Sequence, residues 1–197
     1  TPMRRMPVLH TKRLLLRGFA QGDLAAVYAI FSDETVNRFL PWFPLQSRDD
    51  AAVFLTERLD IRARSEGAYC YAVCPDGGAP VGYVTISGDD SRDLGYGLLP
   101  AYWHKGIATE AAGAVLEQLR RDGAPYVTAT HDVNNPHSGA VMRRLGMRYR
   151  YTYEEQWMPK NFPVMFRLYQ MNFQADSKNV YRKYWDISTV HFVESNL

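Results

Sequence analysis

The stretch Tyr102-Trp103-His104-Lys105-Gly106-Ile107-Ala108-Thr109-Glu110 lies between a run of β character and the most regular amphipathic helix in the chain, and its reading decides the fold. From here Ile107, Ala111, Val115 and Leu119 recur on one helical face beside Ala108, Ala112 and Leu116, and Arg120, Arg121 and Gly123 mark the end. The first turn of such a helix leaves backbone N–H groups unpaired and carries a partial positive charge. Gly106 at that point lets an anion come close to the amides, and Lys105 adds charge, so the stretch suits a pyrophosphate. A glycine there also relieves a tight turn, and spacing alone leaves both readings open.

Upstream, the runs 69–74, 81–87 and 93–99 have β character, and Asp76-Gly77-Gly78 and Ser87-Gly88-Asp89-Asp90 supply turns between them, which predicts a β-meander. Before it come a short strand over 13–19 and a helix through Leu24, Val27, Tyr28 and Phe31. Pro41, Trp42, Phe43 and Pro44 then break the chain, and 49–63 reads as a second helix through Val53, Leu55 and Leu59. Downstream, 126–130 is a strand, and Asn135-Pro136 opens a compact helix that Gly146 closes, with Asn135 expected as N-cap. Strands over 149–155 and 164–173 flank a turn at 159–163. The remaining residues, 174–197, gather Tyr181, Tyr184, Trp185, Val190, Phe192 and Val193, more apolar surface than a disordered extension carries. They are expected to pack on the domain or on a second subunit near the last hairpin.

At 197 residues and 46% hydrophobic, the chain fits one globular domain with at most a short appendage. Lys and Arg number 23 against 21 Asp and Glu, so no excess of positive charge is available for general nucleic-acid binding. No apolar run approaches the roughly 20 residues that span a bilayer, and no leader pattern opens the chain, so a soluble, cytoplasmic protein without membrane contact is expected. Cys70 and Cys74, on one strand, would lie roughly 13 Å apart at about 3.3 Å per residue, which predicts free thiols and a reducing compartment. His104 and His137 have no partner at metal-ligand spacing. HExxH, paired CxxC, GxSxG and Walker A patterns are absent, so no metal is expected.

The order of elements and the segment 102–110 are joined by Asn135-Pro136-His137-Ser138, followed by Val141-Met142-Arg143-Arg144-Leu145-Gly146-Met147. Together they resemble the GNAT N-acetyltransferase family, above all its group containing ribosomal-protein N-terminal acetyltransferases. The opening Thr11-Lys12-Arg13-Leu14-Leu15-Leu16-Arg17 is similar to that group's first strand. The resemblance covers residues 8–173 and leaves 174–197 as an extension. It implies a mixed α/β domain with a mostly antiparallel central sheet, a splayed strand pair and flanking helices. It also implies acetyl-CoA as acetyl donor, with Gly97, Leu98 and Leu99 along the pantetheine arm and His104, Lys105, Gly106, Ile107, Ala108 and Thr109 around the pyrophosphate. Trp103 stands where many members have Gln or Arg, but backbone amides do most of the phosphate binding, so recognition is expected to survive.

Acetyl transfer needs a neutral amine, stabilisation of an oxyanion and departure of a thiolate. Many members place a tyrosine acid where this chain has Met142, which cannot donate. The closer group implies Ser138 as the acid, beside Asn135, although both residues also read as plain helix-start residues. Three carboxylates compete as base: Glu154, Glu155 and Asp93. The resemblance favours the neighbourhood of Glu155, and alternation along a strand allows only one of Glu154 and Glu155 to enter a cleft. A water-mediated base stays open. Trp42, Phe43, Tyr96, Tyr153 and Trp157 are candidates for an acceptor wall, with core packing or dimer contact as the alternative for each. The reading is direct transfer to a primary amine of a protein N-terminus or a small molecule, by a monomer or homodimer. Its rival, motivated by Met142, is a non-catalytic acyl-CoA-binding or regulatory domain.

Overall fold

Residues 69–75 read YCYAVCP without one charged position, and a strand apolar on both faces has to run through the middle of a layered domain. The computed structural model describes residues 6–197 and puts it there. The first sheet contains β1 (Leu9–His10), β2 (Leu14–Arg17), β3 (Tyr69–Pro75), β4 (Gly82–Ile86) and β5 (Leu94–Leu98), each antiparallel to the next. The second contains β6 (Tyr126–Asp132), β7 (Arg148–Trp157), β8 (Phe162–Asn172) and β9 (His191–Phe192) in the order β6-β8-β7-β9, also antiparallel. Cys70 and Cys74 on β3 are buried and free, and burial pushes the Cys70 thiol up to about 11.

Two layers of helix cover the first sheet. On one face α1 (Leu24–Ser32), α2 (Glu34–Asn37) and α3 (Arg48–Phe54) bury Val27, Ile30, Phe31 and Ala51 against Cys70 and Tyr83. On the other, α4 (Ile107–Arg121) and α5 (Pro136–Arg144) close a core around Tyr69, Tyr71, Val73 and Val84. Ile107, Val115, Leu116 and Leu119 of α4 are all buried, each side chain contributing about 1.5–3 kcal/mol. This anchorage fixes where the N-terminus of α4 points.

The single helix expected over 49–63 is broken into three pieces. After α3 a wider π turn runs over Leu55–Leu59, and a 3-10 turn over Ile61–Ala63 follows. Thr56 Oγ1 donates back to the Ala52 carbonyl at 3.0 Å, which loosens a helix. The Asp60 carboxylate accepts the Arg62 N–H at 2.9 Å and so starts a new turn. The wider turn keeps both Leu55 and Leu59 buried.

The two sheets meet at one place. Asp93 and Thr128 form an isolated parallel bridge, supported by Thr128 N–H to the Arg92 carbonyl at 3.3 Å and Thr128 Oγ1 to the Ser91 carbonyl at 2.7 Å. Beyond it β5 and β6 diverge with no further pairing among the described residues. The V opens toward the C-terminal ends of both strands, where α4 and α5 begin.

In β7 the register slips between Tyr149, opposite Tyr169, and Tyr151, opposite Leu168, so Arg150 is the extra residue of a bulge. Tyr149 stays with the α4–α5 core, whereas Tyr151 and Tyr153 pack on the opposite face with Val164, Phe166 and Leu168. That face is covered by Val180, Tyr181, Tyr184 and Trp185, which lie in or near α6 (Lys183–Ile187). Arg167 donates to Glu194 at 2.7 and 2.9 Å and β9 pairs with β7, which holds the end of the chain in place. The Arg167 guanidinium holds the Glu194 carboxyl down to about 2.

Gly97 faces Tyr83 across β4 and β5, and a Cβ there would lie 2.7 Å from the Tyr83 ring. Gly97→Ala is therefore expected to lower stability by about 1–3 kcal/mol in urea denaturation without any cofactor present. Tyr83→Ala in the same chain should make the two changes less than additive. An unchanged midpoint for Gly97→Ala would show that the ring moves aside freely.

Candidate active site

The loop before α4 turns through two left-handed residues, His104 at φ +59° and Gly106 at φ +75°. Turns of this kind gather successive backbone N–H groups at one spot, an arrangement that binds anions. No side chain caps α4, so its first amides stay available. A Cβ on Gly106 would meet nothing nearer than the Arg13 guanidinium at 3.6 Å, so the position needs glycine for its φ and not for space.

Arg13 staples this loop to its helix. Its Nε donates to Glu110 Oε1 and its Nη1 to the Lys105 carbonyl, both at 2.8 Å. Glu110 also accepts from Thr11 Oγ1 at 2.5 Å and from the Arg13 N–H at 3.1 Å. Trp103 Nε1 donates to the Leu98 carbonyl at 2.8 Å, which gives this tryptophan a role in fixing the end of β5. His104 and Lys105 are exposed, Ala108 and Thr109 partly so. Ile107, expected at the cofactor, has its side chain in the core, so only its backbone faces the loop.

Alternation along β5 sorts its side chains. Asp93, Gly95 and Gly97 share the face that α1–α3 cover, and the two glycines leave room there for the Thr85 and Tyr83 side chains of β4. Tyr96, expected on the acceptor wall, points instead to the opposite face, because it lies between those positions. Its phenol donates to the Ser138 carbonyl at 2.7 Å and lies 2.9 Å from Ser138 Oγ. The pair spans the splay from β5 to the first turn of α5. Burial holds the Tyr96 phenol well above its ordinary value, with Ser138 pulling it partly back and Asp93 raising it again. It stays a donor. Asn135 occupies the N-cap position of α5, yet its side chain makes no cap hydrogen bond, contrary to its plain capping role. Met142 is fully buried and serves packing. His104 and His137 meet edge to face at 5.2 Å, joining the loop to the start of α5.

On the other face the carboxylates converge. Asp93 has a buried oxygen, Oδ1, without a hydrogen-bond partner. Burial, then the fields of Asp89 and Glu155, push its carboxyl up to about 7. Glu155 reaches solvent on one side, yet burial still raises its carboxyl. The bulge at Arg150 puts Glu155 on the same face as Tyr151 and Tyr153. Glu154 points the other way and is exposed, its backbone engaged by Ser188 and Val190, so the geometry separates it from Asp93.

Trp42 packs against the edge of Phe54 and has a buried Nε1 without a partner. Phe43 is 61% exposed beside it. Trp157 packs edge-on against Phe166 at 5.1 Å. Lys160 Nζ donates to the Asn37 carbonyl at 2.9 Å and ties the β7–β8 turn to α2. Tyr153, expected as an open wall, is buried under Tyr184, with ring centroids 5.0 Å apart. The Arg13–Glu110 staple left no local signal in the sequence. Tyr96 was expected on the acceptor wall and Tyr184 among the packing residues of the extension, but not their contacts with Ser138 and Tyr153.

Comparison with known proteins agrees with this arrangement. Residues 13–148 match the family model described as an acetyltransferase (GNAT) domain. An N-acetyltransferase of Bacillus subtilis strain 168, YnaD, is 31% identical over 143 residues, which span 70% of this chain and 81% of that protein. Among solved structures, a GNAT-family acetyltransferase from Bacillus anthracis has a TM-score of 0.72 at 25% identity, over 85% of this chain and 99% of that one. RimL, a ribosomal-protein alpha-N-acetyltransferase solved with coenzyme A, shares the fold at a TM-score of 0.70 and 16% identity, covering 86% of this chain and all of its own. Among the described residues no helix is long and apolar enough to cross a membrane. With an open splay, an uncapped helix start at its mouth and a family match across the residues that build both, this chain belongs to the GNAT acetyltransferase family and is an acyltransferase.

Proposed function

We propose that the chain transfers an acetyl group from acetyl-CoA directly to a primary amine, with Ser138 and Tyr96 on one side of the splay and Asp93 and Glu155 on the other. The observation that carries this is the hydroxyl pair bridging β5 and α5 opposite a buried, unpaired carboxylate. Acetyl-CoA supplies an acetyl thioester, whose C–S bond breaks as the C–N bond to the amine forms.

The residues present fit that cosubstrate. The loop amides from His104 to Thr109 take the pyrophosphate, and the open edge of β5 takes the pantetheine, except at the Leu98 carbonyl that Trp103 already occupies. Asn135, with its amide free, lies at the start of α5 beside Ser138. With the Tyr96 proton held by the Ser138 carbonyl, the Ser138 hydroxyl turns from the Tyr96 oxygen to donate toward the departing sulfur. A free thiol pKa near 8.5 means this step needs only modest assistance. Asp93, with an affinity for protons close to neutrality, accepts the proton that the amine loses, and Glu155 helps to hold it there. An α-amino group of pKa about 8 is within easier reach of such a base than a lysine at about 10.4, which favours a protein N-terminus or a similarly weak amine, as in the ribosomal-protein group.

The deciding experiment is thiol release from acetyl-CoA with a panel of amines, followed by mass-spectrometric identification of the acetylated product. Binding of CoA without turnover on any amine would overturn the proposal. CoA should raise the thermal midpoint, since a ligand bound only by the native state adds about 2.7 kcal/mol at a hundredfold excess over Kd. Gly106→Val should lose most of that increment, because a β-branched residue does not adopt φ +75°. Ser138→Ala is expected to lower kcat by roughly tenfold to a hundredfold with little change in acetyl-CoA KM. Met142→Ala should cost about 2–5 kcal/mol of stability and leave the chemistry of the folded fraction intact. For Asp93, kcat/KM should climb with pH through about 7 as the carboxyl ionises, and Asp93→Asn should remove that limb along with about 100-fold of rate. A limb that persists in Asp93→Asn would assign the base elsewhere.

A further inference from the structure

We propose that the C-terminal extension is part of the acceptor site, with Tyr184 as the residue that walls Asp93 off from bulk water and decides which amines reach it. This rests on the acetyl-transfer reading above. Tyr184 lies on α6, outside the 13–148 span of the family match.

The placement is built. Tyr181, three residues before Tyr184, donates its N–H to Gln170 Oε1 at 2.8 Å, and its carbonyl accepts the Tyr151 hydroxyl at 2.6 Å. The Tyr181 hydroxyl donates to Asp90 Oδ1 at 2.9 Å, which ties α6 to the loop that also carries Ser91 and Asp93. Tyr184 then lies nearly parallel on Tyr153, at 5.0 Å and 16°, and meets Tyr181 edge-on at 5.3 Å. Tyr153 is only 3% exposed as a result, and it stands two residues before Glu155 on the same face.

The groups around Asp93 are Asp89 from the β4–β5 loop, Tyr96 from β5, Tyr153 and Glu155 from β7, and Tyr184 from α6. None of them is a cation. Lys183 lies 4.0 Å from Asp90 and its charge also reaches Asp89, but neither Asp93 nor Glu155 forms an ion pair among the described residues. The positive charge that this acidic, aromatic corner lacks is one that an acceptor arriving as an ammonium brings. A ring packed over Tyr153 narrows the approach to Asp93 to slender amines and keeps water from that carboxylate, while Glu155 stays exposed at the rim.

The test uses the full chain with Tyr184→Ala and Tyr184→Phe; Tyr181, Glu194 and β9 still anchor the extension in both. Aspartate carboxyl titration by NMR in the ligand-free protein reads the shielding directly. Tyr184→Ala should lower the Asp93 midpoint from about 7 by about one pH unit or more as water enters. Tyr184→Phe, which keeps the ring, should titrate like the wild type. With amine acceptors, Tyr184→Ala should raise KM for slender amines severalfold, admit bulkier ones, and leave acetyl-CoA KM within about twofold. An unmoved Asp93 midpoint in Tyr184→Ala, or a Phe variant that behaves like the Ala variant, would overturn the proposal whether or not transfer is observed. Absence of turnover in the wild type would instead overturn the acetyl-transfer reading, while the titration still decides the role of Tyr184.

Discussion

One contact organises this molecule: the parallel bridge between Asp93 and Thr128, the single point at which β5 and β6 pair. Two parallel strands normally continue side by side, because each unpaired backbone group facing a buried space costs free energy. Here they part immediately, which leaves a row of strand N–H and C=O groups along β5 without partners from β6. An extended ligand with amides of its own satisfies such a row. The bridge also sets the direction of the opening, since both strands run from it toward the starts of α4 and α5. Two helix N-termini therefore meet at the mouth of the V as a consequence of topology, and the left-handed turn before α4 lies there too.

Side-chain alternation then divides the chemistry between the two faces of the splay. Odd positions of β5 carry Asp93 and two glycines, and the even position carries Tyr96, so a carboxylate and a phenol only three residues apart serve opposite sides. On the second sheet the same division depends on the bulge at Arg150. Without it Tyr149 would share a face with Tyr151 and Tyr153, and Glu155 would move to the α4–α5 side, away from Asp93. One inserted residue thus decides which glutamate shares a face with Tyr151 and Tyr153.

Much of the scaffold was legible because it is written in local patterns. The helix from Ile107 to Arg121 follows from its apolar spacing and from Gly106 and Gly123, and the meander follows from its turns. What escaped leaves no trace in apolar periodicity. The bulge at Arg150 involves no glycine, and strict alternation through Tyr149, Tyr151 and Tyr153 reads as one continuous face. The break after Phe54 depends on Thr56 bonding back to Ala52 and on Asp60 capping a new turn, both invisible to hydrophobic periodicity. Arg13 and Glu110 are 97 residues apart, so nothing in the neighbourhood of either announces that they hold one loop. Asn135 shows the converse: the local rule for an Asn before Pro is strong, and the side chain nevertheless leaves the cap unmade.

The burial of the Asp93 carboxyl, proposed above as the base, also weighs against the stability of the fold. An aspartate whose carboxyl sits near 7 in the native state and near 3.9 unfolded binds its proton more tightly when folded. Its favourable contribution is complete below the unfolded value and is lost as pH rises through about 7, so the native state is penalised in the range where a deprotonated base is useful. Relief by a cation would remove the penalty and the basicity together. The chain instead places its strong ion pairs elsewhere: Arg17 with Asp23 at the start of α1, and Arg167 of β8 with Glu194 of the extension. Against burial, the Arg17 hydrogen bond draws Asp23 below its ordinary value, and Arg167 does the same more strongly for Glu194. Those carboxylates stabilise the fold above their unfolded pKa values and lose that contribution only as pH falls through the depressed native ones. Stability from paired carboxylates and reactivity from an unpaired one thus occupy different parts of the same α/β frame.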